Sequence, residues 1–226
     1  MTTEVDMSKQ AMDREFNRQL DELIESRRTI RSFTAEAPPR ESIEQIIRAG
    51  LLAPYAAPAV AGERLFRRFF VFERGSESVA TVTAIALERM RTNAENLKKR
   101  CEADPAVARK AGDFAKRLQM MAEAGKVPIT EAPWYIVIAE KKGIPPVELQ
   151  SLAHCLENMW LKATALGLGF RLISLTTQLG DDPAFCSLLG IPPGEFAFDG
   201  CTIGYATEWP PTPDKPGLEE VVSWLR

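Results

Sequence analysis

Six consecutive apolar residues, Trp134 to Ala139 (WYIVIA), constrain the fold of this chain more than any other feature. A half-exposed strand alternates apolar and polar side chains, whereas a run with no polar side is the pattern of a central strand. Pro145-Pro146 then opens the longest apolar helix, to about Leu166. Its Leu149, Leu152, Ala153, Leu156, Met159, Trp160 and Ala163 cover more than one stripe. The helix is therefore expected to be central, packed on two sides or at a subunit interface.

The other elements follow from spacing and punctuation. A loose start of about ten residues precedes a helix from about Asp13, with Phe16, Leu20, Leu23 and Ile24 on one face and an end near Arg27. Pro38-Pro39 marks a second helix, whose Ile43, Ile46, Ile47, Gly50 and Leu51 form one buried face and which Pro54 stops. Ala53 to Glu63 is a loop of small residues and prolines. Phe69 to Phe72 reads as a buried strand. Ser78 to about Glu102 is helical, and Asp104-Pro105 begins another helix as N-cap and first-turn proline, with Val107, Ala111, Phe114, Leu118 and Met121 on its apolar face. This charged excursion, at about 76–126, reads as a solvated helical hairpin, a lid over a site or a dimer arm. Gly167 caps the central helix, Phe170 to Leu175 and Phe196 to Tyr205 are strands, and a short helix runs from Asp182-Pro183 to Gly190. The tail from Glu208 is proline-rich, then apolar at Leu218, Val221, Val222, Trp224 and Leu225, as if to cover a partner. No repeat or linker divides the chain, so residues 1–226 read as a single α+β domain.

The chain has a formal net charge of −3, which argues against nucleic-acid or anionic-membrane partners, since these need a basic face. It lacks an apolar run of membrane-spanning length and an N-terminal signal sequence, and Cys101, Cys155, Cys186 and Cys201 are widely spaced. The expectation is a cytoplasmic protein with reduced, buried thiols. His154 is the sole histidine, and no partner motif surrounds it, so neither a metal site nor a histidine-based triad is expected. Gly167-Leu168-Gly169 ends a helix rather than joining a strand to one, so it is no dinucleotide fingerprint.

The strongest candidate anion site is Ser26 to Phe33, SRRTIRSF, where Arg27, Arg28 and Arg31 flank a hydroxyl at Thr29. Guanidinium groups bind phosphate oxygens in pairs, and two or three would match the roughly two charges of a phosphate monoester. Cations are equally favourable at a helix C-terminus, so the residues alone leave both readings open.

In order and spacing, the pieces together resemble the FMN-dependent nitroreductase superfamily. They are the arginine-rich motif, Ala53-Pro54 after the second helix, Ala132-Pro133 before the apolar strand, Ala165-Leu166-Gly167-Leu168-Gly169, LGIPPGE from Leu189 to Glu195, Ile203-Gly204-Tyr205, and Lys215 before Leu218 to Val222. The resemblance implies a three-layer α/β/α sandwich with a mixed, mainly antiparallel central sheet, a long central helix and an extended C-terminal arm. It also implies a homodimer with two FMN sites at its interface. It assigns Arg27, Arg28, Thr29, Arg31, Ser174, Leu175 and Lys215 to the cofactor, and Tyr55 and Pro58 to the substrate pocket. No side chain is needed as a catalytic residue, because the chemistry belongs to the flavin: NADH or NADPH is a transient reductant, and a small electron-poor acceptor such as a nitroaromatic or quinone follows it into the same pocket. A non-catalytic flavin- or nucleotide-binding regulator, or a dehalogenating or flavin-fragmenting relative, are the alternatives. One departure bears on the pocket. Where the family commonly reads S-x-x-N-x-Q-P-W after Ala-Pro, this chain has Tyr55-Ala56-Ala57-Pro58-Ala59.

Overall fold

The computed structural model describes residues 14–225. The expected loose start, the helix start at Asp13 and much of the segment read for a signal sequence lie outside them. The apolar run becomes β2 (Trp134–Lys141), which pairs antiparallel with β1 (Arg67–Glu73) on one side and β4 (Phe196–Gly204) on the other; β4 also pairs antiparallel with β3 (Gly169–Leu172). The order is β1-β2-β4-β3, so β1 and β3 are the edges. Among the described residues the parallel component of this mainly antiparallel sheet is a one-residue bridge, Thr29 to Phe170.

Alternation along β2 explains the layering. Ile136 and Ile138 face Ile43 and Ile46 of α2 (Arg40–Leu51) and Leu152, Cys155 and Met159 of α5 (Glu148–Ala165). Tyr135, Val137 and Ala139 face the other layer. There they meet Val79, Val82 and Met90 of α3 (Glu77–Ala103), Ala122 of α4 (Pro105–Glu123), and Phe185 and Leu189 of α6 (Pro183–Leu189). Neither face of β2 reaches water, and each fully buried isoleucine contributes about 1.5–3 kcal/mol. Helix α1 (Arg14–Ser26) precedes these layers, and the short α7 (Leu218–Val221) ends the tail.

The caps read from sequence form as expected. Asp104 accepts from the Ala106 N–H (2.7 Å), and Asp182 accepts from Ala184 and Phe185. Three expectations are corrected. The third strand stops at Leu172, and Ser174–Gln178 winds into a 3-10 turn. The reason is that Thr176 tucks under the sheet to share a hydrogen bond with the buried Tyr135 hydroxyl (2.8 Å), over Gly200, where a Cβ would come within 2.7 Å of Thr176 Oγ1. The central helix starts at Glu148 rather than at the proline pair, and its Leu149 stays exposed (67%). Cys101 is only partly buried, unlike Cys155, Cys186 and Cys201; all four are free thiols.

One buried ion pair ties β1 and β2 to the α2–α5 layer. Arg67, first residue of β1, donates from Nε to Glu140 Oε2 (2.9 Å), from Nη2 to Ser151 Oγ (2.8 Å) and from Nη1 to the carbonyls of Gly50 and Ala53. Both charged side chains are almost fully buried, at 2% and 3% exposure. The guanidinium thus adds a donor to the Gly50 carbonyl, which also accepts from the Ala53 N–H (3.1 Å), and supplies one to the Ala53 carbonyl just past the end of α2.

Candidate functional site

The segment after α1 runs beside the edge strand β3. Ile30 is buried, its N–H bonded to the Phe170 carbonyl (3.0 Å), and Gly169 makes room for it: a Cβ there would lie 2.9 Å from Ile30 Cγ2. In an extended chain, residues on either side of an inward one face the opposite way. Thr29 and Arg31 accordingly look into a cavity of about 810 Å³, within the range of small-molecule sites.

Its far walls come from two places. Ile173, Ser174 and Leu175 supply the rim where β3 gives way to the 3-10 turn. The α3–α4 hairpin supplies two stripes, Met90, Asn93, Leu97 and Arg100 on α3 and Phe114, Arg117, Leu118 and Met121 on α4, each at helical spacing. Arg171 also lines it, held by Glu131. The lining thus holds four arginines and no Asp or Glu, in a chain with net charge −3. A concave site of one sign in a low-dielectric wall concentrates its field. Guanidinium groups, hydroxyls at Thr29 and Ser174, and apolar faces suit a planar ring that carries an anionic group.

Of the cofactor residues read from sequence, Thr29, Arg31, Ser174 and Leu175 meet around this cavity, although about 140 residues separate the two segments. The others stand elsewhere. Arg27 lies over the Trp160 ring (4.3 Å), with Nε 3.1 Å from Glu157 Oε1 on α5. Its Nε is buried, and the contact is a charge pairing without hydrogen-bond geometry, since Nε has no directed acceptor. Arg28 is spent on the backbone: it donates to the carbonyls of Pro210, Glu25 and Arg27 and to Thr212 Oγ1, and so ties the tail to the end of α1. Lys215 is exposed on that tail. Tyr55 stacks on Phe66 (3.8 Å), just before β1, and Pro58 sits in the 3-10 turn Ala57–Val60. Both therefore lie toward the sheet edge opposite β3.

Sequence reasoning missed Arg100, Arg117 and Arg171. Arg100 and Arg117 were hidden in the charge of the excursion. Their signal is that each falls on an apolar stripe of its helix, at i+3 from Leu97 and from Phe114.

The strongly shifted groups lie in the sheet and on α5 beneath it rather than in the cavity. Burial pushes the Cys155 thiol up to about 12, and Cys201 and Tyr135 also move upward, so none is ionised near neutrality. Burial also raises the Asp199 carboxyl to about 6, against the Gly200 N–H that it accepts from. Because the folded value lies above the ordinary one, no penalty exists in acid, where both states are protonated. Stability then falls as the pH rises from about 4 through about 6. Asp199→Asn is expected to remove this slope. It should raise stability at neutral pH by about 1–2 kcal/mol, allowing for partial exposure, and leave it little changed near pH 4; urea midpoints at the two pH values check both statements.

Among the described residues no helix is long and apolar enough to cross a membrane. The Nitroreductase family model matches residues 24–205. No curated protein matches the chain. Solved structures similar to it include a BluB-like flavoprotein from Clostridium difficile 630 (18% identity, TM-score 0.67, covering 92% of this chain and 99% of that one). A nitroreductase with bound FMN from Bacteroides fragilis NCTC 9343 is also similar (19%, 0.62, 92% and 99%). So is the FMN and NADPH-dependent nitroreductase NfnB from sphigopyxis sp. strain HMH (20%, 0.63, 91% and 98%). At these identities the likeness is one of fold.

Proposed function

The chain belongs to the nitroreductase family, and on that premise we propose that it is an FMN-dependent oxidoreductase carrying electrons from NADH or NADPH to a small electron-poor acceptor. The observation that carries this reading is the meeting of Thr29 and Arg31 with Ser174 and Leu175 around one cationic cavity. The redox chemistry is that of FMN when bound: electrons arrive from the nicotinamide in one half-reaction and leave to a quinone or nitroaromatic in the next. The protein's part is to bind and orient. Arg31 supplies positive charge where negative charge collects, and Thr29 and Ser174 supply hydroxyls. Ile173 and Leu175 would give the cavity an apolar wall that excludes water when FMN is bound.

The working unit in this reading is a homodimer. Phe16 and Ile24 on α1, Leu149 on α5, and Trp224 and Leu225 on the tail are half to almost fully exposed, a distribution suited to a partner copy. Tyr55 and Pro58, remote from the cavity within one chain, would contribute to a site only across such an interface. Light scattering is expected to give twice the monomer mass.

The decisive measurement is a spectrum. Purified protein, supplied with FMN, is expected to be yellow, to bleach with NADPH or NADH without oxygen, and to recover its colour when a quinone is added. Protein that takes up no FMN would refute the reading. A second reading, a flavin-binding protein without turnover, is favoured by the Ala53 to Glu63 loop, which offers no amide side chain. Protein that binds FMN yet never bleaches would establish it.

A further inference from the structure

The α3–α4 hairpin brings positive charge of its own to the cavity wall. Arg31 stands beside Thr29 on the β3 side, and Arg171 is already neutralised by Glu131. Arg100 and Arg117, on the opposite wall, have no carboxylate partner among the described residues. The same wall carries the Leu97 side chain, the Asn93 amide, which donates to Gln178 Oε1 (2.6 Å), and the half-exposed Phe114 ring, with the Arg117 guanidinium over it at 5.6 Å. A neutral apolar ligand would strip water from two guanidinium groups and give nothing back; a cation would be repelled. A planar ligand bearing a carboxylate suits this wall: its ring packs beside Leu97 and the exposed part of Phe114, and the carboxylate takes paired N–H donors from the guanidinium groups.

We infer that the electron acceptor is a planar aromatic or quinonoid carboxylate, held by Arg100 and Arg117 of the hairpin against the cavity. This rests on the oxidoreductase reading above and names the substrate class of the same site. The hairpin is then a specificity element: it selects an anion and leaves the redox step to the cofactor. With a nitroaromatic acid the balanced first step is NAD(P)H + H⁺ + Ar–NO₂ → NAD(P)⁺ + Ar–NO + H₂O, and the carboxylate is untouched throughout.

The test compares para-nitrobenzoate with para-nitrobenzamide, which share a ring and differ in charge, in the flavin-loaded protein and in an Arg100→Ala/Arg117→Ala double variant. Binding is measured by calorimetry and turnover by NADPH consumption. The native protein is expected to favour the acid by about 10-fold or more in both affinity and kcat/KM, mainly through KM, with the preference shrinking as salt is added. In the double variant the ratio of acid to amide is expected to fall to near unity. No preference in the native protein, or one that survives in the variant, overturns the proposal. So does a variant that keeps the preference but loses discrimination between FMN and riboflavin, since the hairpin arginines would then hold the cofactor phosphate. Arginine-dependent binding of the acid without any NADPH consumption leaves the anion site standing and removes the oxidoreductase reading. Equal turnover of both compounds does the reverse.

Discussion

Replacing Arg67 with methionine is expected to cost about 3–5 kcal/mol of folding free energy, a large share of what holds an ordinary domain together. The loss is not that of one salt bridge. Glu140 stays behind at 3% side-chain exposure with no counter-charge, Ser151 and the Ala53 carbonyl lose their donor in the same place, and the Gly50 carbonyl keeps only the Ala53 N–H. Each buried polar group left unsatisfied costs about 1–3 kcal/mol. An Arg67→Met/Glu140→Leu double variant removes both charges and should recover more than half of the loss, short of the native level because the Ala53 carbonyl still lacks its donor. Urea midpoints for the three proteins measure this. A single variant within about 1 kcal/mol of native would show that water, not Arg67, satisfies these groups.

That network also shows what the sequence could and could not reveal. The run from Trp134 to Ala139 identified the central strand, because a strand interior to a sheet writes its burial into every residue. The helix caps at Asp104-Pro105 and Asp182-Pro183 were equally local and equally legible. Arg67 and Glu140 were not. An arginine ahead of a phenylalanine run and a glutamate after an apolar run both look like strand ends reaching for water. They are buried because the antiparallel register sets Arg67 opposite Glu140, 73 residues away. The candidate site divides in the same way. The order of its motifs brought out Thr29, Arg31, Ser174 and Leu175. The commitment of Arg28 to the tail stayed hidden, because Pro210 and Thr212 meet Arg28 only once the chain has folded back across 182 and 184 residues.

The geometry therefore ranks the arginines that composition alone left equal, and Arg31→Ala is expected to have the largest effect on the cofactor. Among the described residues Arg31 has no carboxylate or backbone acceptor, and it lines the cavity beside Thr29. Its guanidinium is free to give charge-assisted hydrogen bonds worth about 1.5–3 kcal/mol, a fall in FMN affinity of about 10–100-fold when removed. Arg31→Lys keeps the charge but loses the planar fork, and should fall between the two. Arg28→Ala should act differently. It frees the tail from the end of α1, so its signature is faster proteolysis of the C-terminal segment, with a smaller change in FMN affinity. Titration of each variant with FMN, followed by flavin fluorescence, gives the order. If Arg28→Ala weakens FMN as much as Arg31→Ala does, the tail contact must open when the cofactor binds. The pairing of Arg28 with Pro210 and Thr212 would then belong to the cofactor-free state alone.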